Sequence, residues 1–503
     1  MPIRWMRFLL VCAVLGASAT AESATYYVRN GGNDSASGKS HADAWASIDK
    51  VNSGSFGPGD EILFHAGDKW TDQLVVKWSG SKSQPLVIGA YYVENGVAKR
   101  GINGARPTID GQDRIPQSRH VGLIEITGDH VRVENFRLIN SEGRGVSFRE
   151  ASFGAVINVV THNTYDSGIK LNESSDILIE NNHIADSNRA YLEGASAWGS
   201  AIAGVKSPRM TVRGNTVEKV YGEGINANQG SHDSLIEGNR VYGARAVGIY
   251  ADSSPRVTIR RNIVLGTTDS GHWRGDGKTV GSGIVVNNEK YHYAGYGGKT
   301  PLDVQSTDAK IYANLVAYTN QGIAFWGNLP ESSFDNAEVY NNTLVDNNVQ
   351  FDGGQRPKPN GRFVNNILLS ISSGTRDVAG TKLHGMTARN NYLSQGDPGG
   401  DFSHSTNIYK GVALARMSGW RALDKLDTVT WKEFLPMASS RTNGAGDNGI
   451  LSLATAKNAY DRDFNGEPHN NPIDLGALRF STQANAPKVP KPPAAVSARP
   501  LAP

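Results

Sequence analysis

Residues 177–184, ILIENNHI, are the first clear copy of an eight-residue phrase that organises the chain. Each copy is a short alternating stretch with Asn in the sixth place and an aliphatic residue in the eighth. The asparagines of the eight copies are Asn182, Asn215, Asn239, Asn262, Asn314, Asn342, Asn366 and Asn391. Asn158, in residues 153–160, is assigned the same place one copy earlier, and several intervals then fall at 23 to 25 residues. Self-similarity at this period predicts a stacked repeat, and the asparagines are expected to be structural.

The composition favours short strands joined by tight turns. Among 503 residues there are 57 glycines, and long apolar runs are few. The charge is balanced, with 51 basic and 48 acidic residues. A balanced charge does not indicate a general nucleic-acid surface, so no nucleic-acid partner is expected.

The N-terminus has the features of a secretory signal peptide at residues 1–21. Arg4 and Arg7 precede an apolar stretch at residues 8–15, and residues 19–21 match an A-x-A cleavage site. The stretch is shorter than the ~20 residues that a membrane-spanning helix needs. Cys12 is the only cysteine and would leave with the signal. We expect an exported protein, secreted or periplasmic, without disulfides.

The two ends of the remaining chain carry a resemblance to a known family. The opening runs TYYV, GGNDSASG, IDKV, PGDEILF, LVIGAYY and RPTIDG, and the ending is YDRDFNGEPHNNPIDLGALRF at residues 460–480. These segments resemble right-handed parallel β-helix proteins of the pectate-lyase-like superfamily. The resemblance implies a helix, here residues 42–51, that caps the first coil. The superfamily includes polysaccharide lyases, glycoside hydrolases, uronan epimerases, phage tailspikes and non-enzymatic members.

The predicted fold class is therefore all-β, a single-stranded right-handed parallel β-helix with an N-terminal capping helix and an irregular C-terminal cap. After the signal peptide, residues 22–400 form the β-helix with its N-terminal cap. Residues 401–485, where the rhythm fades, form the C-terminal capping region. Residues 486–503 are rich in proline and are expected to be disordered.

A second strand precedes each Asn phrase, and the long insertions flank this strand. Its copies include residues 167–172, 200–205, 223–228, 247–252, 282–287 and 321–326. The expanded intervals fall near residues 187–199, 267–281, 288–305 and 327–335, whereas the other turns stay short. Loops beside one face of a rigid stack form a walled groove. The groove is therefore predicted on this strand column.

Alternation along these strands predicts the residues of the groove floor. If the Ile of each copy points inward, the residues one and three places later point outward. The first outward row is Lys170, Ala203, Asn226, Tyr250, Val285 and Ala324, and the second is Asn172, Val205, Asn228, Asp252, Asn287 and Trp326. The predicted substrate-binding residues are Lys170, Asn226, Asn228, Asn287 and Trp326 from the floor, with Trp198, Trp273, Tyr291 and Arg189 from the walls. Amides and aromatic faces suit sugar rings, so a polysaccharide is the expected partner of a monomeric protein.

The candidate catalytic residues are Asp252, Tyr250, His272, Arg274 and Lys290. Asp252 is the outward carboxylate of the floor, although its asparagine neighbours also fit a plain strand-end cap. A lyase needs a base and a group that neutralises the uronate carboxylate. A hydrolase needs two carboxyl groups, and Glu193, Glu223 or Asp276 would have to supply the second. The residue types favour a lyase for a uronate-containing polysaccharide over a hydrolase.

Other interpretations stay open. A uronan C5-epimerase or a non-catalytic polysaccharide-binding protein fits the same groove. Asp461, Asp463 and Asn465 match the first half of a calcium loop, but the twelfth position is Pro472 instead of Glu. A structural turn is preferred there, with Ca²⁺ as the alternative, and no other cofactor is indicated. The calcium cluster of pectate lyases and the paired aspartates of polygalacturonases are not visible in the sequence.

Overall fold

The computed structural model describes residues 23–194, 199–289 and 304–409, together with residues 414, 418, 431–434, 440, 463 and 476–478. The described chain winds into a parallel β-helix whose coils each contribute one strand to three long sheets. The predicted signal peptide and the proline-rich tail lie outside the described residues.

Sheet A is the sheet that holds the alternating part of each Asn phrase. Its strands are Thr25–Val28, Glu61–His65, Leu86–Glu94, Val131–Glu134, Ala155–Ile157, Leu178–Glu180, Thr211–Arg213, Leu235–Glu237, Thr258–Arg260, Lys310–Tyr312, Glu338–Tyr340, Arg362–Val364 and Thr387–Arg389. Val97–Arg100 adds an antiparallel strand to Leu86–Glu94.

Sheet B follows sheet A across the turn that carries the repeated asparagine. Its strands are Lys69–Trp70, Thr108–Asp110, Arg137–Ser141, Val160–Thr164, His183–Ser187, Thr216–Val220, Arg240–Ala244, Ile263–Leu265, Leu315–Ala317, Thr343–Val345, Ile367–Leu369, Tyr392–Leu393 and Ile408–Tyr409.

Sheet C is the column on which the groove is predicted. Its strands are Leu74–Val76, Gly122–Ile126, Arg144–Arg149, Ile169–Asn172, Ser200–Val205, Glu223–Asn228, Val247–Asp252, Ser282–Asn287, Gln321–Phe325, Val349–Asp352 and Arg376–Val378. The all-β parallel β-helix predicted from the repeat is confirmed.

Helices are short throughout the described chain. The α-helices are Ile48–Asn52 and Arg274–Gly277, and the 3₁₀ turns are Arg189–Tyr191, Ser270–His272, Gly400–Phe402 and Trp431–Phe434. The helix predicted at residues 42–51 is therefore wrong in its first half. The Asp34 carboxylate accepts hydrogen bonds from the Ala46 and Ser47 backbone amides and holds this part as a turn. Ser47 then caps the helix by accepting from the Lys50 amide.

The repeated asparagines form a continuous buried ladder inside the turn between sheets A and B. Each donates from its side-chain amide to the Oδ1 atom of the next, as Asn239 does to Asn262 and Asn262 to Asn314, both at 3.0 Å. The same Oδ1 atom accepts from the backbone amide of the preceding asparagine. The structural role predicted for these asparagines is confirmed, because buried amides need such partners.

The assignment of Asn158 to this ladder is wrong by one residue. Ile157 pairs with Glu180, so Val159 and not Asn158 occupies the ladder place beside Asn182. The Val159 backbone amide donates to Oδ1 of Asn182 over 2.8 Å. Asn158 instead has φ +54°, and its side chain donates to Asn135. Asparagine suits both places, since it tolerates positive φ better than most residues.

The apolar core fills the space between the three sheets. Ile169, Ile202, Ile225, Ile249 and Ile284, the inward residues of sheet C, are all fully buried. A second apolar cluster lies outside sheets A and B, where Leu414, Phe434, Ala477 and Leu478 pack against Ile263, Leu315 and other side chains of sheet B. In the described part of the chain, no helix combines the length and apolar character that crossing a membrane requires.

Candidate functional site

Long loops border sheet C at both of its edges, as predicted. The described residues of these loops are 188–194 and 266–281 before strands of sheet C, and 288–289, 304–309 and 326–337 after them. One further loop, residues 111–121, enters the strand Gly122–Ile126 and was not predicted. Its Arg119 contacts Glu142 at 2.8 Å and stacks on the ring of Tyr165. Residues 111–121 therefore form a wall beside the coil of Lys170.

The strand register confirms the outward rows, except that Trp326 lies one residue beyond its strand, Gln321–Phe325. The first row runs Glu125, Ser147, Lys170, Ala203, Asn226, Tyr250, Val285, Ala324 and Asp352. The second row runs Arg149, Asn172, Val205, Asn228, Asp252 and Asn287. Side chains that alternate with fully buried core residues must face the outside of the coil.

Asp252, Tyr250 and Asn287 lie together around Glu289, a residue that the sequence analysis did not single out. The Glu289 backbone amide donates to Oδ1 of Asp252 over 2.9 Å. Its Oε1 atom accepts from the Tyr250 hydroxyl at 2.9 Å and from the Asn287 and Asn328 side-chain amides. The sequence could have indicated Glu289, because it lies two residues after Asn287 and so continues the outward row past the end of the strand.

Asp252 and Tyr250 are buried in this cluster. Asp252 has no exposed surface and Tyr250 is 3% exposed. Burial, with the neighbouring Glu289 carboxylate, raises the pKa of Asp252 to about 8. Burial, with the charges of Asp252 and Glu289, also raises the pKa of Tyr250 well above its usual value. Oδ1 of Asp252 accepts hydrogen bonds from the Glu289 amide and the Ser253 hydroxyl, and the buried side chain presents no atom to a polymer.

Trp326 and Arg274 cover the floor next to this cluster. The Trp326 ring lies 6.0 Å from the Tyr250 ring, and the Arg274 guanidinium lies 5.5 Å above the Trp326 ring. The Trp326 indole N–H donates to Gln321 at 2.9 Å. Beneath Trp326 lies an apolar cluster of Tyr250, Val285, Ala324 and their neighbours. These partly exposed side chains are placed to contact a sugar ring.

Lys170 lies in a second polar cluster, where it is partly exposed. Arg144, almost fully buried, donates through Nε to the Asp166 carboxylate over 2.8 Å. Burial lowers the pKa of Lys170, although the Asp166 carboxylate opposes this effect. Burial raises the pKa of Asp166, but Lys170 and Arg144 lower it by more. A partly exposed amine with a lowered pKa is a candidate base.

Glu223 and Asn226 lie two coils further along the same face. Oε2 of Glu223 accepts from the Ser200 hydroxyl at 3.0 Å and from the Asn226 side-chain amide. Burial raises the pKa of Glu223 to about 7, and the Glu289 carboxylate adds to the rise while Lys170 opposes it. Lys170 and Glu223 thus act on each other's charge. The sequence named Glu223 as a candidate carboxylate, but only the fold brings it near Lys170.

The coil that holds Glu223 also carries unpaired acceptors. Oδ1 of Asn226, Oδ1 of Asn228 and Oε1 of Gln229 are buried and accept no hydrogen bond from the described residues. Asn226 is 3% exposed. Buried acceptors without partners are rare, and hydroxyl donors of a bound sugar would satisfy them.

Arg189 belongs to the wall beside Lys170. Its guanidinium contacts Glu193 at 2.6 Å and Glu142 at 3.1 Å. Tyr191 in the same loop accepts a hydrogen bond from Arg245 at 2.7 Å, and the Arg245 guanidinium stacks on its ring. These contacts fasten the loop to the body of the β-helix.

His272 and Trp273 lie apart from Asp252. His272 is 4% exposed and stacks on Tyr221, with ring centroids 4.4 Å apart. Its Nδ1 atom is 3.2 Å from the Asp269 carboxylate, and burial lowers its pKa against the opposing effect of Asp269. The Trp273 indole N–H donates to the Thr267 carbonyl at 2.7 Å. His272 supports the turn that leads into Glu223 and does not meet the floor.

Trp198, Lys290 and Tyr291 lie outside the described residues, as do Asp461 and Asn465 of the calcium candidate. Asp463 is buried, and its backbone carbonyl accepts from Arg261 at 3.1 Å. Within the described ranges, no group of three or more His, Cys, Asp or Glu side chains is arranged to hold a metal ion.

Comparisons with known proteins address the fold. The family model described as "Right handed beta helix region" matches residues 122–290. The alginate lyase AlyGC is similar in structure, with TM-score 0.50 and 16% identity, over 82% of this chain and 55% of that protein. Pectate lyase Pel9A is similar with TM-score 0.47 and 17% identity, over 91% of this chain and 97% of that one. The lacto-N-biosidase of Eubacterium ramulus gives TM-score 0.44 and 15% identity, over 73% and 67% of the two chains.

The fold is a right-handed parallel β-helix. None of the curated proteins matches the sequence at a significant level. The similar structures carry different activities by their names, so the likeness concerns the scaffold.

Proposed function

We propose that the protein is a polysaccharide lyase that cleaves a uronate-containing polymer by β-elimination on the outer face of sheet C. The observation that carries this proposal is Lys170, a partly exposed lysine on the walled face whose pKa is lowered. A lysine with a lowered pKa gives up its proton more readily than an ordinary lysine, and the free amine can then remove the proton from the carbon next to a uronate carboxyl group.

Basic side chains near Lys170 suit an acidic substrate. Arg149 lies in the neighbouring outward row, one coil earlier, and its side chain is 41% exposed. It contacts Glu125 at 3.0 Å and still offers N–H groups to solvent. A guanidinium binds a carboxylate in a planar, two-pronged contact, so Arg149 is assigned to the uronate carboxyl group.

In this mechanism the base and the cation act on the same sugar unit. Arg149 withdraws charge from the carboxylate and makes the neighbouring C–H more acidic. Lys170 takes that proton, and the glycosidic C–O bond on the adjoining carbon breaks as the double bond forms. Trp326 and Arg274 would contact sugar units further along the floor. The secretory signal predicted at residues 1–21 fits a substrate outside the cytoplasm.

A glycoside hydrolase is the second candidate, and Glu223 is the observation that favours it. A carboxyl group with a pKa of about 7 keeps its proton in a large fraction of the molecules at neutral pH, as a general acid requires. Asp252, which the sequence suggested as the partner carboxyl group on the floor, is fully buried and does not fit that role. Glu289, partly exposed, would have to replace it.

The products of the protein on a panel of uronate polymers distinguish these functions. A lyase produces chain ends with a carbon–carbon double bond, detected by ultraviolet absorbance and by a mass one water lighter than the hydrolysis product. Saturated fragments would favour the hydrolase, and altered uronate stereochemistry without shortening would favour an epimerase. Binding without any product would leave a non-catalytic polysaccharide-binding protein.

A further inference from the structure

Elimination needs a proton donor as well as a base, and this inference rests on the proposed lyase function. When the glycosidic C–O bond breaks, the departing oxygen must gain a proton to leave as a neutral hydroxyl. Lys170 receives the proton from carbon, so a second group has to supply the one that goes to oxygen.

We propose that Glu223 protonates the departing glycosidic oxygen. Glu223 begins its strand of sheet C and pairs with Ser200. Its carboxyl group is turned onto the outer face, because it meets Asn226 of the first outward row. Along that row Asn226 follows Ala203, which follows Lys170. Successive coils are ~4.8 Å apart, so the base and the acid lie two coils apart on one face, on either side of the buried Ala203.

The hydrogen bonds of Glu223 leave one oxygen for the substrate. Ser200 and Asn226 both donate to Oε2. The other oxygen, Oε1, accepts no hydrogen bond from the described residues and is not among their fully buried unpaired atoms. A proton on Oε1 can therefore be donated outward while Oε2 keeps the carboxyl group in place.

Burial and the Glu289 carboxylate raise the pKa of Glu223, and three further titratable groups lie near it. Glu289 lies just past the end of the strand Ser282–Asn287, two coils from Glu223. Asp252 and Tyr250 belong to Val247–Asp252, the strand between these two coils. Lys170 faces it from the other side and lowers its pKa only in part. Burial dominates, and the pKa of about 7 leaves a proton available where the polymer would be bound.

Asn226 supplies an independent sign that a ligand belongs here. Its side chain is nine-tenths buried, its amide N–H₂ faces Glu223, and its Oδ1 atom has no partner among the described residues. An acceptor held in this orientation fits a sugar hydroxyl on the unit that carries the departing oxygen.

The step is balanced without a further reactant. The C–H bond breaks and its proton goes to Lys170, while the electron pair forms the carbon–carbon double bond. The C–O bond breaks, and the oxygen takes the proton of Glu223. Lys170 is left charged and Glu223 is left as a carboxylate, and transfer of one proton between them, directly or through water, restores both.

The decisive variant is Glu223→Gln, which keeps the hydrogen bonds of Oε2 to Ser200 and removes the proton that Oε1 would donate. On the polymer we expect at least a ~100-fold loss in kcat. On a uronic acid derivative that carries fluoride at the carbon where the bond breaks, we expect nearly full activity, because fluoride leaves without a proton. Lys170→Ala should lose activity on both substrates.

Glu180→Gln on sheet A is the matched control, since Glu180 pairs with Arg213 away from the groove. It should leave both activities unchanged, and melting curves should match for all variants. If the folded Glu223→Gln variant loses as much activity on the fluoride derivative as on the polymer, Glu223 is not the proton donor and the proposal is overturned. Absence of any unsaturated product from the unaltered protein would instead overturn the lyase function itself.

Discussion

Lys170 and Asn226 lie in the same outward row of sheet C, two coils apart, with Ala203 between them. The two residues are 56 positions apart in sequence. Stacking alone brings Lys170 within the electrostatic influence of Glu223, the hydrogen-bond partner of Asn226. The candidate chemistry therefore depends on the register of the β-helix, and each prediction below tests one part of that arrangement.

Asp166→Asn should move the pH dependence of activity towards lower pH. The Asp166 carboxylate raises the pKa of Lys170, and the neutral amide removes that effect while still accepting from Arg144. Lys170 would then lose its proton at lower pH, so the ascending limb of the pH–rate profile shifts to the acid side. A profile that is unchanged, or shifted to alkaline pH, would contradict the role of Lys170 as the base.

Asp252→Asn should stabilise the protein at alkaline pH and leave its activity intact. Because the folded-state pKa is raised from 3.8 to about 8, the folded protein binds this proton more tightly than the unfolded chain. The contribution of this proton to the stability of the fold is fully present below pH 3.8 and is lost as the pH rises to about 8. Asparagine cannot ionise, so Tm above that pH should exceed the wild-type value by at least ~2 °C.

Near pH 4 the two Tm values should differ least. Loss of activity in a folded Asp252→Asn protein would restore the catalytic role that the sequence suggested for this aspartate.

Asn262→Ala should destabilise the β-helix strongly. Asn262 is fully buried, donates to Ile236 and Asn314, and accepts from the amides of Asn239. Removing it leaves buried groups without partners, which should lower the free energy of unfolding by about 3 kcal/mol in denaturant titrations. Asn172→Ala, at a partly exposed place of sheet C, should change it by less than ~0.5 kcal/mol. Equal losses of unfolding free energy in the two variants would contradict a structural role for the asparagine ladder.

The sequence predicted the repeat, the grooved sheet and the outward rows because each depends on a local periodicity. It placed Asn158 one residue out of register because asparagine suits the ladder and the neighbouring positive-φ position equally well. It gave Lys170 a binding role because the burial that lowers its pKa arises only when the coils stack. Arg144, which also lowers this pKa, and Glu223, which opposes the effect, belong to other coils.

The sequence also did not predict that Asp252 and His272 are buried. Both are polar residues beside inserted loops, a pattern typical of exposed catalytic side chains. Glu289 folds over Asp252, and Tyr221 stacks on His272, so long-range packing removes both from the surface. Glu289 itself follows directly after a strand and was grouped with the loop.

The most direct test of the account is continuous ultraviolet measurement of double-bond formation on a uronate polymer by wild type, Lys170→Ala and Lys310→Ala. Lys310 lies on sheet A, away from the groove, and serves as the control. We expect Lys170→Ala to lose at least ~1,000-fold in kcat with an unchanged melting curve, and Lys310→Ala to match wild type. A folded Lys170→Ala protein that still forms the double bond at the wild-type rate would contradict the account.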